Sequence, residues 1–285
     1  MNVRLQNAFL RLDKGGPEQQ AVEAGEIDAI IDYSSNYVIL FPAARRALRE
    51  VANRTPAANR ESIANSVLAA LPLTEYRLLL AGLEPVTLRS GDVLYEPGET
   101  IRHVYFPIDC AVSLLTVADN RALGAALVGY EGMIGISLVL GVDVSSVRAR
   151  VQATGTAMRI EAARFHKAFL QCPLLQRELY RHAHAKLALA RQAGACNSFH
   201  SAEMRLARWF LLTSDRVKAK EFILTQAFLA EMLGVRRVTV TNAAVRLQHR
   251  NLISYRRGKV RILNRRGLEA AACRCYSKNR EPARH

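Results

Sequence analysis

The segment from Thr225 to Val245 restricts the fold of this chain more than any other. Gln226-Ala-Phe-Leu-Ala-Glu-Met-Leu-Gly-Val-Arg-Arg-Val-Thr-Val-Thr-Asn-Ala-Ala-Val245 suits two short helices crossing steeply about a tight turn. Ala230 supplies the small residue needed where the helices meet. Gly234 supplies a residue that tolerates a left-handed backbone at the turn. Leu229, Leu233, Val235, Val240 and Ala243 fall at the inward positions, and all are apolar. Thr225 stands where an N-cap for the first helix is useful. The expected unit is a helix-turn-helix.

Its second helix has a polar, cationic outer face of Arg236, Arg237, Thr239, Thr241, Asn242 and Arg246. Arg can bond guanine at two atoms at once, Asn can do the same with adenine, and Thr can hold a phosphate or meet a thymine methyl. No carboxylate lies between Arg236 and Asn264 to repel phosphate. Leu252 to Leu263 then reads as two short strands around a basic tip, Arg256-Arg257-Gly258-Lys259, a wing beside the recognition helix. Charge agrees with this placement. Residues 222–285 hold 14 Lys/Arg against 3 Glu, a surplus of +11 out of +15 for the whole chain. A module this basic fits a polyanion partner, and double-stranded DNA is the expected one.

The 285 residues suggest about two domains and are enough to bury real cores. No apolar run approaches a bilayer span, and the N-terminus lacks a signal-peptide pattern, so a cytoplasmic location without membrane contact is expected. Five scattered cysteines argue against a disulfide framework. Cys273-Arg-Cys275 is tighter than the usual two-residue zinc spacer and has no CxxC partner; it reads as a helix carrying two thiols, and no metal is expected.

Residues 1–65 form an extension without recognisable chemistry. Gln19–Asp32 reads as a short helix running into the apolar stretch Ile27–Ile31, Tyr33–Asn36 as a turn and Val38–Phe41 as a strand, with a small hairpin as the alternative for this stretch. Ala43–Ala52 looks helical, and Asn53–Arg60 looks like a linker. From residue 66 to 166, after a short helix capped at Thr74, short strands alternate with Gly, Pro and Asp/Asn turns, the rhythm of a sandwich or barrel. Candidate strands include Glu84–Leu88, His103–Phe106, Ala111–Val117, Ala122–Val128 and Met133–Ile136. Residues 167–198 switch to helical period, with Pro173 suited to a first turn. Leu175, Leu179, His182, Lys186, Leu189 and Ala193 recur at heptad spacing, a seam that needs cover from its own domain or from a second copy across a two-fold; the dimer is the expected role. Ala202–Thr213 reads as a core helix. The fold class is α+β: an antiparallel roll, a long dimerisation helix, a winged helix-turn-helix over 199–265 and a basic tail over 266–285.

In this order the elements resemble the Crp/Fnr family of bacterial transcription regulators, over about residues 67–265. The C-terminal likeness rests on Leu233-Gly-Val-Arg-Arg-Val-Thr-Val240 and Leu247-Gln-His-Arg-Asn-Leu-Ile253. The roll resembles a cyclic-nucleotide-binding-like domain through Gly91-Asp-Val-Leu, Pro97-Gly98-Glu99, His103-Val-Tyr-Phe, Gly129-Tyr-Glu-Gly132 and Gly135-Ile136. The resemblance implies a homodimer on a near-palindromic site, regulating transcription, with RNA polymerase as a further contact. It places base reading at Arg237, Val238 and Asn242, and backbone contacts at Arg256, Arg257 and Lys259. Family members commonly have Glu where this chain has Val238, so a different operator is expected.

Nucleotide-binding members hold the ribose with a Glu after a Gly and the phosphate with an Arg followed by Ser or Thr. Here Ile136 follows Gly135 and Ala149 follows Arg148, so cyclic AMP is not expected and the effector is unassigned. No cysteine precedes Cys110, which removes the N-terminal cysteine cluster of the iron–sulfur branch. The competing reading is a cyclic-nucleotide or other small-ligand sensor whose basic end docks a protein or membrane. No nucleophile elbow, P-loop, GxGxxG or HExxH motif is present, so no enzyme is expected.

Overall fold

The computed structural model describes residues 29–32, 37–40, 63–119 and 121–280. Strands β1 (Ala29–Asp32) and β2 (Tyr37–Leu40) form an antiparallel hairpin; β2 is the strand read there, whereas Ala29–Asp32, read as the end of a helix, is extended. That hairpin belongs to a unit separate from the one beginning at Ile63 and is described by itself. The rest of the helix expected from Gln19, the helix over Ala43–Ala52 and the linker Asn53–Arg60 lie outside the described residues.

The larger unit opens with α1 (Ser66–Ala69) and α2 (Leu73–Leu80). Asn65, not Thr74, is the capping residue: its side chain accepts from the amides of Val67 and Leu68 at 3.0 and 3.3 Å. Its Nδ2 donates to the carbonyls of Pro107 and Gly132, both at 2.9 Å, tying the helix to the roll. Thr74 lies inside α2, which Pro72 precedes without a side-chain cap.

Seven strands build the roll: β3 (Glu84–Leu88), β4 (Val93–Tyr95), β5 (His103–Pro107), β6 (Ala111–Ala118), β7 (Arg121–Val128), β8 (Arg148–Ala153) and β9 (Gly155–Glu161). They pair antiparallel in two sheets, ordered β3-β9-β5 and β4-β8-β6-β7. Tyr95, Val112, Val128 and Val151 fill the interior. The turns read at Gly91 and Gly98 are real, with φ of 100° and 86°, values that favour glycine. Met133–Ile136 is not a strand. Ile134 makes one bridge to Tyr105, then Gly135 turns left-handed (φ 96°) and Ile136–Leu140 form a 3-10 turn.

Helix α3 (Ala162–Gln171) stops at Cys172, and α4 runs from Pro173 to Phe199. A proline disfavours helical backbone in the residue before it, so α4 starts at Pro173, the first-turn position read for it, and residues 167–171 belong to α3. Ser201 caps α5 (Ala202–Val217), followed by β10 (Glu221–Ile223), α6 (Gln226–Leu233), α7 (Arg237–His249), β11 (Ile253–Arg256) and β12 (Lys259–Ile262). The small sheet is ordered β10-β12-β11; β10 was not read from the sequence. The expected tail is folded instead, as α8 (Arg265–Ala271) and α9 (Cys275–Arg280). Leu268, Cys273 and Tyr276 are buried, and Leu268 and Tyr276 join a core that includes Phe210, Leu229, Val240, Leu247 and Val260. Each such side chain contributes ~1.5–3 kcal/mol by leaving water.

The seam read on the long helix faces its own chain. Leu175 and Leu179 are 0% exposed, packed among Phe106, Phe165 and Val139. His182 lies against Gly132, Lys186 reaches Glu131 at 3.7 Å, and Leu189 and Ala193 are half-buried. A lone amphipathic helix must cover its apolar stripe, and here the roll supplies the cover. The outward side of α4 carries a second heptad series: Tyr180, Ala183, Leu187, Ala190 and Gly194, with Tyr180 and Leu187 each 50% exposed.

Candidate nucleic-acid interface

Thr225 accepts from the Phe228 amide at 3.1 Å and starts α6 as its spacing suggested. Gly234 ends α6 with φ 60°, and its amide bonds back to the Glu231 carbonyl at 3.2 Å. Arg205 on α5 donates to the carbonyl of Leu233, the last residue of α6, so the turn is held from beneath. Leu229, Leu233, Val240 and Ala243 are all nearly or fully inaccessible, while Val235 is half-buried against the same core.

This packing decides what α7 shows to solvent. Arg236, Arg237, Val238, Asn242 and Arg246 are exposed, with Val238 at 59%. Thr239 is half-buried. Thr241 turns inward: its hydroxyl lies 3.1 Å from the Gln226 side chain and 3.1 Å from the Arg237 carbonyl, stapling α7 to the start of α6. It is half-buried and ties the two helices together. Arg257 (φ 50°) and Gly258 (φ 83°) are both left-handed, the backbone of a two-residue hairpin turn that follows the twist of β11 and β12. The Tyr255 hydroxyl donates to the Leu224 carbonyl at 2.7 Å and anchors the wing; burial pushes this phenol up to about 12.

The cations divide into two sets. Among the described residues, no carboxylate pairs with Arg236, Arg237, Arg256 or Arg257. Arg246 and Arg250 instead share Glu203, at 2.7 and 3.1 Å. Lys259 and Arg261 share Glu221, at 2.5 and 2.7 Å. The unpaired set is free to meet phosphates and base edges, whereas the paired set must first be released. The acidic partners lie before the segment in which no carboxylate occurs, which is why sequence reading missed them.

The domain also touches the roll. Arg150 on β8 meets Glu231 at 2.6 Å and lies 4.6 Å from the centre of the Phe228 ring. Gln152 donates to Thr213 at 2.8 Å, and Arg216 donates to the Leu127 carbonyl at 3.0 Å. Leu123 on β7 sits over Gly234, where an added Cβ would lie 2.7 Å from its Cδ1. Arg216 also meets Glu131 at 3.1 Å, placing Glu131, Lys186, Arg216 and His182 in one buried group. Burial alone would push the Glu131 carboxyl up, but Arg216 and Lys186 outweigh it and hold it below its ordinary value. Burial pulls Lys186 down, and pulls His182 down to about 3 with Lys186 adding to the effect.

On the roll, Arg148 does not face an open anion site. Its Nε donates to both oxygens of Glu96, each at 2.8 Å, and Ala149 is fully buried. Cys273 and Cys275 do not share one helix: Cys273 lies in the break before α9 and Cys275 starts it, and Cys196 and His200 from the end of α4 lie beside them.

Residues 204–271 match the Crp-like helix-turn-helix domain. Among curated relatives, the chain is 26% identical over 199 residues to the transcriptional activator protein FnrA of Stutzerimonas stutzeri, covering 65% of this chain and 79% of that protein. Among solved structures, FixK2 from Bradyrhizobium japonicum superposes with a TM-score of 0.57 at 17% identity, over 67% of this chain and 98% of its own. A CRP/FNR family transcriptional regulator from Thermus thermophilus gives 0.53 at 23% identity, over 66% and 98%. The share covered, about two thirds of the chain, is larger than the 204–271 segment that the domain model matches.

Proposed function

We propose a working mode for this chain, a Crp/Fnr-type transcription regulator with a helix-turn-helix DNA-binding domain: it binds a near-palindromic site as a homodimer in the cytoplasm. The observation that carries the reading is the outward presentation of Arg236, Arg237, Val238 and Asn242 over the buried Leu229, Leu233, Val240 and Ala243. Arg237 and Asn242 are assigned to base edges in the major groove, Val238 to an apolar base contact, and Arg256 and Arg257 to phosphates. Arg246 and Lys259 join only after leaving Glu203 and Glu221. The dimer contact is assigned to the outward face of α4, Tyr180-Ala183-Leu187-Ala190-Gly194, whose spacing of three and four suits a second helix.

Among the described residues, no helix is long and apolar enough to cross a membrane. No catalytic step is assigned. Cyclic nucleotide is not proposed as the effector, because the Arg148–Glu96 pair occupies the cation and Ile136 and Ala149 offer no side-chain hydrogen bond. Contact with RNA polymerase is the proposed route from bound site to altered transcription. Footprinting on selected DNA, with light scattering of the complex, tests the mode. Two protected half-sites one helical turn apart and two chains per site are expected. A single unpaired footprint with one chain would overturn it.

A further inference from the structure

The end of α4, the break before α5 and the last two helices converge on one point. Cys196 lies in the final turn of α4, and His200 follows four residues later as its cap. Cys273 and Cys275 flank the exposed Arg274, where the chain bends from α8 into α9. Three thiol sulfurs and one imidazole nitrogen lie within 4.8 Å of one another. The three cysteines are at most 7% exposed, so the group is shielded from bulk water.

Buried free thiols are often no more than small apolar side chains. Three features separate this group from that reading. The His200 Nδ1 is buried and has no hydrogen-bond partner. Arg208 places its Nη1 2.8 Å from the Cys196 sulfur. Gln192 donates to the Cys275 sulfur at 3.1 Å.

We propose that Cys196, His200, Cys273 and Cys275 form a tetrahedral zinc site, with Arg208 and Gln192 as its outer hydrogen-bonding partners. Zinc is the ion of choice for a Cys3His set, and Zn–S bonds near 2.3 Å place neighbouring sulfurs about 3.8 Å apart. The group needs to contract by less than about 1 Å to reach that geometry. Three thiolates and one Zn2+ leave a single negative charge, which the Arg208 guanidinium balances. The cage suits one ion; an iron–sulfur cluster would sit between its thiolates and force them further apart. A closed set of four protein ligands leaves no position for substrate, so the role is structural. The ion fastens the joint between α4 and α5 to the C-terminal end of the DNA-binding domain. The one-residue spacer of Cys273-Arg-Cys275 is workable because its remaining two ligands come from a distant helix end.

The test uses the full-length chain, kept reduced, stripped with a chelator and titrated with Zn2+ or Co2+ alone. One metal per chain is expected, and the cobalt form should show strong tetrahedral visible bands with sulfur-to-cobalt charge transfer. His200→Asn alters a half-buried helix-end residue and should weaken zinc by more than the roughly 10–100-fold that loss of an outer partner causes. Cys275→Ala should do the same, Arg208→Lys should fall within that range, and Cys110→Ala in the roll should change nothing. The wild-type cobalt spectrum does not depend on any variant folding. Absence of thiolate–cobalt bands, a Cys196–Cys275 disulfide that after reduction takes up no metal, an iron–sulfur chromophore, or wild-type affinity in both ligand variants would each overturn the site.

Discussion

The helix-turn-helix and the roll are both apolar cores under antiparallel elements, yet they are specified at opposite range. In the former, cap, turn glycine, inward positions and wing turn all fall between Thr225 and Ile262. In the latter, Glu84 lies opposite Arg159 and Ala111 opposite Ala153. The same contrast governs charge. Among the described residues Arg236 and Arg237 have no acidic partner, while Glu131 gathers Lys186 and Arg216 from distant helices. Local spacing therefore tells which groups face outward on the recognition unit, but only the folded roll tells which charges are sealed in.

Removing one sealed charge should break this contrast most sharply. Glu131→Ala strands Arg216 and Lys186 and should cost ~3–5 kcal/mol in denaturant unfolding. Glu203→Ala, on an exposed pair, should cost at most about 1 kcal/mol. Equal losses would remove the distinction between the two regions. The buried group also predicts an acid limb. His182 has its folded value depressed to about 3 against 6.5 unfolded, so its neutral form is favoured by folding. Its contribution is complete above pH 6.5 and is lost as pH falls toward 3, by about 1.4 kcal/mol per pH unit. Glu131, also depressed, loses its contribution only below 4.5. His182→Asn should thus flatten the stability profile between pH 6.5 and 4.5. An unchanged slope there would place the titration elsewhere.

Smaller effects sharpen the local side. Thr225→Ala removes the cap of α6 and should cost ~0.5–2 kcal/mol. A loss as large as that of Glu131→Ala would show that the unit is not locally specified. Leu187→Arg, on the outward face of α4, should change folding stability by no more than about 0.5 kcal/mol yet lower the mass seen by light scattering to that of one chain. A variant that stays dimeric would remove that face from the contact.

The recognition unit was legible because a helix pair needs few residues at fixed offsets. Gly234, Thr225 and the Arg257-Gly258 turn carry their meaning within a few positions. The seam on α4 was misread for a physical reason: Leu175 and Leu179 have the spacing of a two-helix contact, and spacing does not say which surface covers a stripe. Leu187 and Tyr180 share that spacing one residue on, about 100° further round the helix. Thr241 was read as an outward hydroxyl because its partner, Gln226, faces it only once the helices cross. Asn65 gave no sign of its double role, since Pro107 and Gly132 approach it through the fold. Cys196 and His200 lie more than seventy residues from Cys273 and Cys275, beyond the reach of any spacing rule.

The most direct measurement of the account is the binding of Arg237→Ala across a panel of DNA sites, by fluorescence anisotropy at several salt concentrations. The account predicts a loss of ~1–3 kcal/mol confined to preferred sites, with relaxed choice at one base position, while Arg257→Ala weakens every site alike and lowers the salt slope by about one. Equal weakening on all DNA by both variants, or no change from Arg237→Ala, would contradict a recognition helix that reads bases through Arg237.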